Sequence, residues 1–351
     1  MSFVVKGWCP GALRPMMSGD GLLVRVRPRM ARLTPVQVRG LAEASLAHGN
    51  GVIDLTARGN LQLRGVRADH HLALLDDLDA LGLLDQDAAS EQRQNVVVAP
   101  FWTAGDGTSD VVAVVLNVLA APEFGGLPGK FGVSVDLARP VMQAVPSDIR
   151  IERIGQAWLV RPDGFHLGAL VTNVEPALRQ LLDWFLASGA RRMADLHGQE
   201  LPAGFACPAV VTPYQAEPGP QELGSIVGVA FGQVRAETLL ALSEYAVRIT
   251  PWRMLLIEGD CPDLPGLIRH AADPLLRVTA CTGAPGCSQG LQPTRDLARD
   301  LASQVPLGHH LHVSGCAKGC AHPGVADVTL TATRAGFDLI RGGRAADVPH
   351  V

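Results

Sequence analysis

The chain has 351 residues, with 30 Lys plus Arg against 34 Asp plus Glu, a formal charge of −4 and 47% hydrophobic residues. That length can carry two domains or one large repeated one, and that apolar share excludes a disordered chain. The weakly acidic balance gives no electrostatic case for nucleic acid or a membrane surface, and the longest apolar run, 111–121, is broken by Asn117 and too short for a bilayer.

The opening MSFVVKGWCP has no basic start followed by an apolar signal segment, so the expected location is the cytoplasm, where thiols stay reduced. Cys9 there reads as a small buried residue. Residues 22–27 (LLVRVR) alternate as a half-buried strand does. With Arg29 they place Arg25, Arg27 and Arg29 at period two, on one face of an extended segment, with Leu22, Val24 and Val26 on the other. Such a row suits bidentate carboxylate contacts, and a solvated strand face is the plainer alternative.

Thr34-Pro35 then starts a helix as cap and first residue, and Gly49-Asn50-Gly51 ends it. A strand over 52–56 leads to Arg58. A second β-α-β pattern follows the same plan, with a strand over 226–230, a helix over 236–245, the segment Thr250-Pro251-Trp252-Arg253 and a strand over 254–257. Arg58 and Arg253 therefore take corresponding places in what reads as a duplication. Between the copies, 95–98 and 111–119 read as buried strands, and 176–187 as an amphipathic helix. Residues 202–220 read as a surface loop.

The densest chemistry lies near the C-terminus. Cys281 and Cys287 (CTGAPGC) and Cys316 and Cys320 (CAKGC) sit in two glycine-rich loops, where glycine permits tight turns. Four thiolates suit an iron–sulfur cube or tetrahedral zinc, and neither pair has the close knuckle spacing that zinc usually selects. Thr294 is placed to cap a helix through Ser303. Cys207 and Cys261 follow no motif and read as core or loop thiols. Lysine occurs only at 6, 130 and 318, so Lys318 between two candidate ligands and Lys130 in GGLPGKFG gain interest. No Gly-rich dinucleotide fingerprint follows a strand.

These residues resemble a known family. The C-x5-C and C-x3-C loops and LTARGNLQL at 55–63 are similar to the sulfite and nitrite reductase superfamily. GWCPGALRPMMSGDGLLVRVRP, TPWR at 250–253 and VSGCAKGCAHPGVADV at 313–328 resemble its precorrin-3B synthase branch, and the likeness spans about 7–339. The resemblance implies an α+β fold of pseudo-twofold, sulfite/nitrite reductase-like architecture. Ferredoxin-like half-domains would occupy 1–85 and 151–262, with mixed-sheet units at 86–150 and 263–351, the last holding iron and sulfur.

It further implies a [4Fe–4S] cluster on Cys281, Cys287, Cys316 and Cys320, and an associated mononuclear non-haem iron. The implied reaction is oxygen-dependent hydroxylation of the tetrapyrrole precorrin-3A at C20 with γ-lactone closure; with no dinucleotide fingerprint in the chain, a separate reductase is the expected electron donor. Candidate tetrapyrrole-binding residues are Arg25, Arg27, Arg29, Arg58, Arg93, Lys130 and Arg253, with Lys130 and Arg58 also candidate catalytic groups. His309, His310, His312, His322 and Asp327 are the densest set of possible ligands for a single iron, and their spacing picks out no triad.

The chain also departs from the reductases. Lys318 and His322 replace the residues usual there, the Lys-x-Lys pair reads Lys130-Phe131-Gly132, and Arg93 is one position out of register before Gln94-Asn95-Val96. Sirohaem with sulfite or nitrite reduction is therefore the alternative reading.

Overall fold

The computed structural model describes residues 10–347, so Lys6 and Cys9 lie outside the described residues. The first copy begins with the hairpin Met16–Ser18 and Gly21–Val26, in which Val24 and Val26 are fully buried. Thr34 caps the helix Pro35–His48 through a reciprocal box: its hydroxyl accepts the Gln37 N–H, and the Gln37 side chain accepts the Thr34 N–H. Val52–Leu55 and Leu61–Val66 complete four strands of a sheet.

The fifth strand of that sheet, Gln233–Arg235, comes from the second copy. The second copy's own sheet, Gly219–Gln221, Gly224–Gly228, Met254–Glu258 and Val247–Ile249, takes Arg32–Leu33 from the first. Each exchanged strand follows a short turn with two consecutive left-handed residues, Met30 (φ 55°) and Ala31 (φ 53°) in one copy, Phe231 (φ 60°) and Gly232 (φ 68°) in the other. In both turns the second of these donates three residues back, Ala31 to Pro28 and Gly232 to Val229, each at 3.0 Å. The duplication is thus repeated down to backbone conformation, and the two copies bury their apolar faces in one shared core.

The mixed sheets repeat as well. Val96–Val98, Val133–Asp136 and Ile149–Ile154 run parallel and Ala157–Pro162 returns antiparallel. Val278–Ala280, Leu311–Ser314 and Ala326–Thr333 run parallel and Gly336–Gly343 returns antiparallel. A helix crosses over between the first two strands of each, Thr108–Ala120 and Arg295–Ala302. The first mixed sheet continues through Leu167–Val171 to Cys207–Pro208, so residue 150 lies inside a strand of a sheet that extends well past it. The architecture is α+β with the expected pseudo-twofold repeat.

Two expectations are corrected here. The 111–119 run is part of the helix Thr108–Ala120, not a strand. Its buried residues, Val111, Val112, Val115, Val118 and Leu119, follow helical spacing, with Ala113, Asn117 and Ala120 exposed between them. The arginine row is also broken, because its strand ends at Val26 and Arg29 opens the turn Arg29–Ala31. Pro28 has no N–H to continue the ladder, so the three guanidiniums do not leave one strand face together.

The exchange is reinforced by charge. Glu258 on the second sheet accepts two bonds from Arg32 of the exchanged strand, both 2.8 Å, and one from Arg248 at 2.6 Å. These donors, Arg32 first and then Arg248, pull the Glu258 carboxyl down to about 2 against the cost of its burial. A carboxylate with a depressed folded value stabilises above its unfolded value and loses that contribution as pH falls through the folded one. Glu258→Gln should therefore be less stable than the parent in neutral urea titrations, and the gap should close as pH falls from about 4.5 to about 2.

Candidate functional site

The four motif cysteines sit where two neighbouring parallel strands end. Val278–Ala280 runs directly into Cys281, and Leu311–Ser314 runs into Gly315-Cys316. Backbone bonds shape both loops: Cys287 N–H donates to Gly283 at 2.7 Å, Leu291 N–H to Gly315 at 2.8 Å, and Gly319 N–H to Cys316 at 3.4 Å. Gly315 N–H donates to the Cys281 sulfur at 3.1 Å. Thr294 stands at the start of the helix Arg295–Ala302 but does not cap it; its hydroxyl donates to the Cys281 carbonyl at 2.6 Å.

Cys281, Cys287 and Cys316 are half-buried and Cys320 is exposed; all four are free thiols. Loss of water around the sulfur pushes the Cys316 thiol up, and the Cys320 thiol too although that residue keeps exposed surface, and repulsion from Cys281 and Cys287 raises both further. Lys318 opposes this at both thiols, at Cys316 first through a backbone hydrogen bond and then through its charge. The four sulfurs thus share one electrostatic neighbourhood with a cation beside it. Such a set fits an iron–sulfur cube, which takes four thiolates and offsets their mutual repulsion with its own iron charge. Among the described residues no three His, Cys, Asp or Glu side chains are grouped to hold a single metal ion.

The histidines do gather in part. His310, His312 and His322 meet with ring centroids 4.5 Å (310 to 322) and 5.6 Å (312 to 322) apart, while His309 turns to the Leu307 carbonyl. His312 is fully buried and neither ring nitrogen has a hydrogen-bond partner. Burial first, then His322, His310 and Arg253, push it down to about 4, so it is neutral at physiological pH. Asp327 accepts the His310 backbone N–H at 2.8 Å.

The candidate cations fall into three groups. Arg58 and Lys130 come together: the Arg58 guanidinium donates to the Lys130 carbonyl at 2.7 Å, and the Lys130 side chain is exposed. Arg192 donates to the same carbonyl at 3.2 Å and to the buried Asp148 at 3.0 Å, and Asp148 also accepts the Gly132 N–H at 2.9 Å. Arg27 is held by the buried Glu91 at 3.3 Å; Arg25 is half-buried opposite Gln62. Arg29 is exposed. Arg93, at the end of the helix Ala88–Arg93, lines a cavity of about 140 Å³ with Gln92, Gly129 and Phe131, and its buried Nε has no hydrogen-bond partner.

Arg253 stands apart from Arg58, and the expected correspondence between them is off by one. Gly59 donates to Thr56 at 3.2 Å and Arg253 to Thr250 at 3.3 Å, and both have positive φ, 66° and 58°. Arg253 is therefore the counterpart of Gly59, and Arg58 of Trp252. Burial lowers the Arg253 guanidinium, with Asp54 and Arg295 nearby. Arg64, Arg192, Arg295 and Asp148 are site neighbours that sequence reading missed. Only long-range side-chain contacts bring them in, and no local motif marks them.

No helix among the described residues is long and apolar enough to cross a membrane. Residues 14–81 match the nitrite/sulfite reductase ferredoxin-like half domain. The Mycobacterium tuberculosis NirA structure shares the fold, with a TM-score of 0.61 at 18% identity over 92% of this chain and 74% of that one. A ferredoxin–nitrite reductase of Synechococcus elongatus is 24% identical, covering 96% of this chain and 83% of its own. A precorrin-3B synthase of a Sinorhizobium species is 32% identical, covering 98% of this chain and 84% of its own. The chain has a nitrite/sulfite reductase-type fold. Within that class it belongs to the precorrin-3B synthase family.

A test of the thiol geometry follows from Gly315. A Cβ there would lie 2.9 Å from Gly283 Cα and 3.3 Å from the Cys281 sulfur. Gly315→Ala should therefore keep the native far-ultraviolet circular dichroism but lose most of the iron and sulfide found in the parent after anaerobic reconstitution.

Proposed function

We propose that this chain catalyses oxygen-dependent hydroxylation of precorrin-3A at C20, with γ-lactone closure from the ring A acetate to give precorrin-3B in cobalamin biosynthesis. The observation that carries the reading is near-full-length identity to a precorrin-3B synthase, joined to four thiols assembled at adjacent strand ends. One atom of dioxygen enters the product and the other leaves as water, with two electrons supplied by a separate reductase.

Cys281, Cys287, Cys316 and Cys320 would hold the [4Fe–4S] cluster. When bound, it supplies one-electron transfer between that reductase and the reaction site. Lys318 places a cation beside the ligands, which favours the electron-rich form. The substrate's acid side chains require fixed cations. Arg58 is such a group: its guanidinium is fixed by the Lys130 carbonyl, and the Lys130 ammonium is free to reach solvent or ligand. Asp148 orders the backbone beneath both by accepting from Gly132, Met193 and Arg192. In this reading Arg58 and Lys130 orient the reacting acetate, while Arg25, Arg27, Arg29, Arg93 and Arg253 bind other carboxylates.

The alternative, a sirohaem enzyme reducing sulfite or nitrite, draws on the more distant nitrite reductase relatives. Gly132 stands where the second reductase lysine would be, and a Cβ there would meet the Asn95 carbonyl at 3.2 Å with Arg58 beyond it at 3.9 Å. The chain therefore lacks one of the cations that an anion-reducing site would present, which disfavours this reading.

Anaerobically purified protein given precorrin-3A, a reductant and oxygen should yield a product heavier by one oxygen atom; a sirohaem spectrum with sulfite or nitrite turnover instead would refute the proposal. Cys316→Ala should abolish the brown visible absorption. A charge-assisted bond contributes about 1.5–3 kcal/mol, so Arg58→Ala should raise KM for the tetrapyrrole about ten- to a hundred-fold.

A further inference from the structure

The sequence Ser18-Gly19-Asp20-Gly21 opens the first arginine-bearing strand, yet neither substrate binding nor thiol ligation accounts for it. It forms the turn between Met16–Ser18 and Gly21–Val26, and this turn meets the loop between Cys281 and Cys287. A Cβ on Gly19 would lie 2.1 Å from the Pro285 carbonyl oxygen and 3.1 Å from Ser288 N, so backbone packs on backbone.

Two donors converge on one atom of that loop. The Ser18 hydroxyl donates to the Gly286 carbonyl at 2.8 Å, and Arg64 Nη2 donates to the same oxygen at 2.7 Å. Arg64, on the strand Leu61–Val66, is 5% exposed. Asp20 grips its fork through Nε and Nη2, both at 2.9 Å, and Asp54 takes Nη1 at 3.2 Å. The Gly286 carbonyl belongs to the peptide that ends in the Cys287 nitrogen, whose N–H donates to Gly283. Both ends of the peptide leading into Cys287 are therefore fixed. An ammonium is a point charge and cannot match these directions as a planar guanidinium does.

We propose that the Ser18–Asp20 turn and Arg64 clamp the Cys281–Cys287 loop from the far half of the chain, making Arg64 a positioning residue for Cys287 and for the cluster it would hold. The proposal rests on the reading that the four cysteines ligate a cluster. Removing a buried cation and a hydrogen bond beside such a group loosens a ligand and favours the oxidised state.

The test compares parent, Arg64→Met, Arg64→Lys, Ser18→Ala and Cys316→Ala, purified and reconstituted anaerobically. Iron and sulfide per chain, the rate of visible bleaching in air and the midpoint potential are read for each. Arg64→Met should bleach several-fold faster and titrate at lower potential, with Arg64→Lys between it and the parent. Ser18→Ala, which removes one donor and leaves the charge, should bleach faster with a smaller change in potential. If Arg64→Met does not fold, the bleaching rate of Ser18→Ala decides the matter. Parent-like bleaching and potential in the folded variants overturn the clamp. A full iron complement in Cys316→Ala instead overturns the ligand assignment, a separate failure.

Discussion

The molecule depends on two left-handed turns. At Met30-Ala31 and Phe231-Gly232 the chain leaves one repeat, reverses, and lays its next strand on the edge of the other repeat's sheet. Non-glycine residues in this conformation cost about 1–3 kcal/mol each and persist only where their surroundings over-determine them. The surroundings here are the cores of the mixed sheets. Met30 packs against the apolar cluster of the first and Phe231 is buried in that of the second. One pair of strained turns therefore joins the central sheets to each other and each mixed sheet to the centre.

The two mixed units spend the same geometry differently. In each, parallel strands end at a common edge, and the crossovers leave two loops there. In the second unit those loops carry the thiols. In the first, the chemistry lies at the opposite edge: Lys130 comes just before Val133–Asp136 begins, and Asp148 and Arg58 order its backbone. One repeated plan thus carries thiols beyond the carboxyl ends of its strands in one copy and a cationic loop before their amino ends in the other.

Much of this was legible in the chain. The Thr34-Pro35 start and the alternation at 22–26 are local signals, and each falls where it was expected. The failures are instructive. Residues 111–119 are so uniformly apolar that period two and period 3.6 both fit, and only the exposed Ala113, Asn117 and Ala120 reveal the helix. Arg25, Arg27 and Arg29 keep period two on paper, but Pro28 and the turn after it scatter them. Arg58 and Arg253 look equivalent because each follows a threonine, yet hydrogen bonds shift them by one. Arg64 and Gly286 lie 222 residues apart, and nothing in either neighbourhood announces the other.

The placement of the thiol loops bears on how the protein matures. Small zinc modules gain their order from the metal, and without it they are unfolded chains. Here each loop begins at the end of a buried strand, and the Leu291–Gly315 bond laces the two together before any metal arrives. The entropy of ordering these loops is thus borne by the polypeptide itself. A cluster held there, as proposed, would then be lost or replaced without unfolding the chain.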